Sequence, residues 1–236
     1  MSFWKIAKES LKSISDERLV LTKALFGPLL LIVLLSYFDS LDLPIYLQVL
    51  SFLANAIVQT TIAVTVHRLI LLGPEEIAPW GFTIWSTREV TFLSYFLLLY
   101  ILVLAPSLVF SGVFYLVLQF SELAAGYLVD ASQIFYLLSI IFCIWLTSRL
   151  SLVFPGIAIG KGVSFKLSWE VTRSHTLLMI LVLVAAPIVA SPFAIFLELF
   201  GLGYVTAVLG ALTIVVGIAL LSKTYLYLTE AFYEPA

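Results

Sequence analysis

Few side chains in this sequence could do chemistry, and their spacing limits what chemistry that is. His67 and His175 are the only histidines, and neither falls in the HExxH spacing of a zinc protease. Cys143 is the single cysteine, so no internal disulfide can form; set between Phe142 and Ile144, it reads as a buried, inert thiol. There is no Gly-x-Ser-x-Gly elbow and no Walker loop, and no catalytic, cofactor or metal site is expected. Two other groups remain. The first is Arg68, Arg88, Arg149, Trp169 and Arg173, candidate contacts to lipid or to an interface. An arginine fork can grip a phosphate or carboxylate in two places. It can equally mark a border, its stem in the apolar layer and its charge in the headgroups.

The second group is uncharged. Gln48, Ser51, Asn55 and Gln59 recur every three to four residues, hence on one helical face. Ser132, Tyr136, Ser139, Cys143 and Thr147 do the same, as do Thr206, Gly210, Thr213 and Gly217. Gln48, Asn55, Gln59, Ser139, Thr147 and Thr213 are therefore candidate polar residues of a bundle interior. Facing one another they serve as packing glue through interhelical hydrogen bonds; lining a common axis they form a polar path for a solute.

The elements that position these residues follow from composition. Of 236 residues 62% are hydrophobic and 11% charged, against about a quarter charged in globular domains. A hydrocarbon core ~30 Å thick is crossed by ~20 apolar helical residues. Six stretches qualify: 19–38, 45–72, 90–120, 131–154, 176–199 and 202–228. They are continuous rather than alternating, which points to helices and away from a β-barrel. The expected class is all-α, a single polytopic transmembrane domain over residues 1–236. The opening MSFWKIAKESLKSISDERLV lacks the pattern of a secretion signal. Residues 1–18 read instead as an amphipathic helix on the headgroups, with Trp4, Ala7, Leu11 and Ile14 on its apolar face. Pro28, Pro106 and Pro187 fall inside spans.

With six spans, all twelve lysines and arginines fall on one side, while the opposite links carry Asp39, Asp42, Glu122, Asp130 and Glu198. The positive-inside rule then places both termini in the cytoplasm. Glu75 and Glu76, after a Gly-Pro turn, read as solvated. A net charge of −2 points to no nucleic-acid partner. No acidic or basic residue is expected at mid-membrane depth, with Lys23 the nearest exception, which disfavours a proton-driven pump.

The stretch VHRLILLGP at 66–74 is echoed by SRLSLVFPG at 148–156. Arg68, Leu69, Leu71 and Pro74 match Arg149, Leu150, Leu152 and Pro155. LVLAP at 102–106 is echoed at the same offset by LVAAP at 183–187, and in a looser further copy Pro28 stands for the proline and Lys223 for the arginine. The pattern implies three helix hairpins, 19–72, 90–154 and 176–228, each entered from the same side, as parallel repeats about the membrane normal. Short interfacial helices are expected before the first and third hairpins. In the middle one, Ser86 and Glu89 have capping-box spacing.

The second copy carries a resemblance. RLSLVFPGIAIGKGVSFKLSWEVTRSH, residues 149–175, resembles uncharacterised bacterial six-helix inner-membrane proteins related to the membrane domain beside some glycerophosphoryl diester phosphodiesterases. The shared elements are Arg149, Leu152 and Pro155, then Ser168, Trp169, Thr172 and Arg173. Members often have an acidic residue after the proline, where this chain has Gly160 and Lys161. The resemblance implies a multi-pass protein of the bacterial inner membrane; the phosphodiesterase chemistry belongs to a separate soluble domain and is not implied. The expected function is a non-enzymatic accessory or scaffold protein in contact with membrane lipids, including anionic headgroups, and with a membrane-protein partner or further copies of itself. The alternative is a small pore or transporter for a lipid-like or uncharged solute.

Overall fold

The computed structural model describes residues 2–39, 41, 43–78, 80, 85–120 and 125–233. Asp42 and Glu122, assigned to two of the links, lie outside the described residues. The regular elements are α1 (Phe3–Asp16), α2 (Arg18–Asp39), α3 (Ile45–Leu72), α4 (Thr87–Phe120), α5 (Ala125–Leu150), α6 (Val153–Ala158), α7 (Phe165–Thr172), α8 (Thr176–Leu199) and α9 (Gly203–Tyr233). Single 3-10 turns occur at Pro74–Glu76 and Arg173–His175, and the described residues contain no strand. Six helical stretches, those built on α2, α3, α4, α5, α8 and α9, are long and apolar enough to cross a membrane.

The helix ends have local causes. Glu89 accepts the Ser86 backbone N–H at 2.8 Å and also the Ser86 hydroxyl, so the capping box starts α4 at Thr87. Gly73 ends α3 at a positive φ of 102°, where its N–H donates to the Arg68 and Leu69 carbonyls. The fourth span departs from expectation. The sequence predicts a continuous run to residue 154, but α5 stops at Leu150 and α6 starts at Val153. Pro155 is the reason: it has no N–H for the Ser151 carbonyl and its ring would crowd that carbonyl, so the helix breaks one turn earlier. A fourth intraspan proline, Pro192, joins Pro187 within α8.

The six long helices form a ring in chain order. α2 packs on α3, α4 on α5 and α8 on α9; α3 meets α4, α5 meets α8, and α9 closes on α2 while also packing along α3. The core is not spread evenly along the ring. It concentrates at the end carrying Arg68, Arg149 and Lys223, here termed the basic end. Ile6, Leu152, Met179, Val182 and Leu220 form one cluster there, and Phe92, Val153, Phe154 and Ala158 another. α6 is buried along its whole length. Gly156 within it has no room for a side chain, because a Cβ would collide with Val163 and meet the Tyr225 hydroxyl at 3.5 Å.

α1 is a packed element. It lies against α9, with Ile6 and Ser10 fully buried, and the Ser10 hydroxyl reaches the Ala219 carbonyl at 3.3 Å. Its expected apolar face is divided: Ala7 and Ile14 pack inward, while Trp4 and Leu11 are exposed.

Candidate functional site

Most of the buried polar side chains gather at the basic end: Ser10, Thr65, His67, Glu89, Ser148, Arg149, Ser151, Ser168, Thr172, Ser222 and Thr224. Burying such groups unpaired is costly, so their partners define what the site can do.

Arg149 is the centre. It closes the last turn of α5, where its carbonyl has no N–H of its own helix to accept. α7 supplies the substitutes. The Ser168 hydroxyl donates to that carbonyl at 2.8 Å, and the Thr172 hydroxyl lies 3.1 Å from it. Ser164 caps α7 by accepting the Leu167 N–H, which fixes the register that brings Ser168, Trp169 and Thr172 to α5. The Arg149 side chain is only 4% exposed. Its guanidinium carbon sits 4.5 Å over the Trp169 ring, a cation–π contact. Trp169 in turn meets Trp145 edge to face at 5.4 Å. One terminal nitrogen donates to the Thr176 hydroxyl at 3.2 Å, but Nε is buried with no hydrogen-bond partner among the described residues. Arg173 is exposed at the end of α7, close enough for its charge to bear on Arg149. Ser168, Trp169 and Thr172 thus meet Arg149 at its carbonyl and its guanidinium.

The other arginines have different fates. Arg68 reaches back over the Gly-Pro turn. Its guanidinium donates to the Glu76 carbonyl at 3.1 and 3.2 Å, and its Nη2 pairs with the Glu76 carboxylate at 2.5 Å. Glu76 is exposed, as a solvated residue is expected to be, and also pairs with Arg68, because the 3-10 turn brings it back toward the end of α3. Arg88 pairs with Glu89, both Nε and Nη2 lying 3.1 Å from Oε1. Glu89 is almost wholly buried, and the Ser86 and Arg88 donors satisfy it.

His67 was legible in the sequence, its partner was not. Nδ1 of His67 lies 2.8 Å from the Ser222 hydroxyl, across α3 and α9, and both residues are buried. A Ser–His pair invites a nucleophile-and-base reading, but Ser222 donates its proton to the Ile218 carbonyl at 2.8 Å. Ser222 is therefore free to accept from His67 rather than to give it a proton. The ring also packs on Phe92 at 6.1 Å. The SKTYLYL sequence around Ser222 carries no signal of this pair, since the contact depends on how α9 crosses α3.

The polar stripes lie in different settings. Gln48, Asn55 and Gln59 share a cleft of about 300 Å³ with Phe52, Ala56 and Phe96, between α3 and α4. Gln48 is exposed there and its side-chain amide donates to the Leu43 carbonyl at 2.8 Å. Ser139 and Thr147 are half-buried on α5, which packs on α4, α7 and α8. Thr213 on α9 turns its hydroxyl to the Leu209 carbonyl of its own helix at 2.8 Å. Cys143 is half-buried, its sulfur 3.8 Å from the Val103 carbonyl.

No family model, curated protein or solved structure matches this chain. What the fold defines is a class: an all-helical protein with six helices fit to cross a membrane, its buried polar groups assembled at one end.

Proposed function

We propose that this chain is a non-enzymatic integral membrane accessory or scaffold protein. The observation that carries the reading is where the buried polar groups spend their bonds. Ser168 and Thr172 on Arg149, His67 with Ser222, Ser10 on Ala219, and Glu89 with Ser86 and Arg88 all join or terminate helices. Such bonds hold a fixed scaffold together. A pore would instead gather the stripes of α3, α5 and α9 about one axis. In this chain the α3 stripe opens on a cleft beside Phe96 of α4, α5 packs on α4, α7 and α8, and Thr213 is turned back on its own helix.

In this reading the six helices are three parallel hairpins, in keeping with the ring order, and both termini face the cytoplasm with every lysine and arginine. The resemblance at residues 149–175 and the one-sided charge favour the bacterial inner membrane as the location. A membrane-protein partner or further copies of the chain meet the exposed apolar faces, with lipid elsewhere. Two measurements on the full chain test this. Purification from its native membrane in mild detergent is expected to give a complex of fixed stoichiometry. Vesicles containing the purified chain are expected to pass glycerol no faster than protein-free vesicles. A lone monomer with raised glycerol flux would replace the scaffold by the pore.

A further inference from the structure

An open apolar groove of about 620 Å³ runs between α5 and α8, lined among others by Leu138, Ile141, Trp145, Ile180, Val184 and Ile188. Its register continues into the Arg149 site. On α5, Leu138, Ile141, Trp145 and Arg149 follow one another at three- and four-residue steps, so they share a helix face. On α8, Ile188, Val184, Ile180 and Thr176 step by four in the opposite sense. The hydrogen bond from Arg149 to Thr176 therefore lies one turn beyond the Trp145–Ile180 end of the groove.

We propose that this groove holds one anionic phospholipid, its phosphate on Arg149 and Arg173 and one acyl chain along α5 and α8. Charge complementarity commits the site to an anion. Arg68 and Arg88 each have a carboxylate, but Arg149 and Arg173 have no ion-pair partner among the described residues. The carboxylate nearest in sequence, on the exposed Glu170, makes no ion pair with either. A buried guanidinium whose Nε lacks an acceptor, beside a second positive charge, is an incomplete arrangement that a phosphate oxygen completes. Dimensions commit it to a lipid. From Arg149 to Leu138 the helix rises about 16 Å, at 1.5 Å per residue. One leaflet of the hydrocarbon core is about 15 Å deep. A headgroup at Arg149 thus lets its acyl chain follow the groove to mid-membrane. Trp145 and Trp169 sit at the junction, where indole rings favour the headgroup boundary. The site goes beyond the scaffold reading and stands whether or not a protein partner exists.

The test uses the full chain in detergent and measures retained lipid by native mass spectrometry, with phosphatidylglycerol and phosphatidylcholine of identical acyl chains as probes. One phosphatidylglycerol is expected to bind about tenfold more tightly than phosphatidylcholine, which carries the same phosphate but brings a choline cation up to Arg149 and Arg173. Arg173→Gln, at an exposed position, should erase most of that preference without moving the unfolding midpoint. Val184→Trp, which fills the groove, should weaken both lipids alike. Arg149→Lys should lose more preference than charge alone accounts for, because lysine lacks the planar fork. Equal binding of the two lipids, or a preference unchanged in Arg173→Gln, would overturn the proposal. Competition by inorganic phosphate as effective as the lipid would make the site one for a free anion. A photoreactive group at Val184 that labels protein in place of lipid would assign the groove to a partner helix.

Discussion

The bond from Ser168 to the Arg149 carbonyl sets a measurable cost on one hydroxyl. Ser168→Ala removes the donor at 2.8 Å and leaves the packing of a fully buried Cβ in place. The carbonyl is then a buried acceptor at a helix end, and an acceptor stranded that way costs about 1–3 kcal/mol. Thr172 limits the loss. Its single hydroxyl proton has three competing acceptors, the Ser168 carbonyl at 2.8 Å, the Arg149 carbonyl at 3.1 Å and the Trp169 carbonyl at 3.4 Å. In the wild type it goes to the nearest one; in Ser168→Ala it can swing across to Arg149. Ser168→Ala should therefore cost about 1 kcal/mol, the low end of that range. Thr172→Val alone should cost about 0.5 kcal/mol, because Ser168 still caps the carbonyl. With both hydroxyls gone nothing replaces them, and the double variant should lose about 2–3 kcal/mol, more than the sum. For a chain of this size each kcal/mol lowers the midpoint by about 2–4 °C. Thermal unfolding in detergent, followed by tryptophan emission, reads this directly, since Trp145 and Trp169 lie within the same cluster. A silent Ser168→Ala, or a double variant no worse than the sum of the singles, would refute the shared-acceptor account.

Four further outcomes are expected. Gly156→Ala drives a Cβ into Val163 and should cost about 1–3 kcal/mol, with Val163→Ala recovering much of it in a double variant. Ser222→Ala leaves His67 Nδ1 without its buried partner and should cost about 1–3 kcal/mol, read as a lower unfolding midpoint. Glu76→Gln weakens a pair whose carboxylate side chain is 54% exposed, so the midpoint should shift by less than the equivalent of about 1 kcal/mol. A reporter active only outside the cytoplasm should be silent at both termini and active near Gly201; activity at the C-terminus would require an odd number of crossings.

Long apolar runs made the six helices readable, because a membrane-length helix needs only composition and continuity, and both are local. Helix ends were readable where a side chain signals them, as Ser86 and Glu89 do. The break before α6 was missed although Pro155 was in plain view, since an intraspan proline at 28, 106, 187 or 192 leaves its helix continuous. Whether a proline kinks or breaks depends on what satisfies the freed carbonyl, and that is tertiary. The candidate site divides in the same way. Trp169 and Arg173 were legible as a motif beside Arg149. The partners that decide each arginine's role, Glu76, Glu89 and Thr176, were not, because pairing depends on how a turn folds or how α5 crosses α8. Ser222 and Ser10 gave no signal at all: one serine in an apolar helix reads the same whether it faces lipid or a histidine.

Arg68 and Arg149 show how far a repeated letter carries. Each stands in the last turns of a long helix, one residue before a leucine and six before a proline. At Arg68 the proline opens a 3-10 turn that brings Glu76 back beneath the guanidinium, so charge is matched within eight residues of chain. At Arg149 the proline lies in the first turn of α6, which carries no carboxylate and is itself buried, so the guanidinium turns to a tryptophan face and a threonine hydroxyl. The helix supplies the same position in both cases. What differs is whether the following turn returns an acid, and the sequence difference behind it is small: PEE after one arginine, PGI after the other. Pairing within the turn ties the first arginine to its own chain. Its absence leaves the second with a charge and an open hydrogen-bond donor at the end of an apolar groove, and this gives the two echoed segments different work.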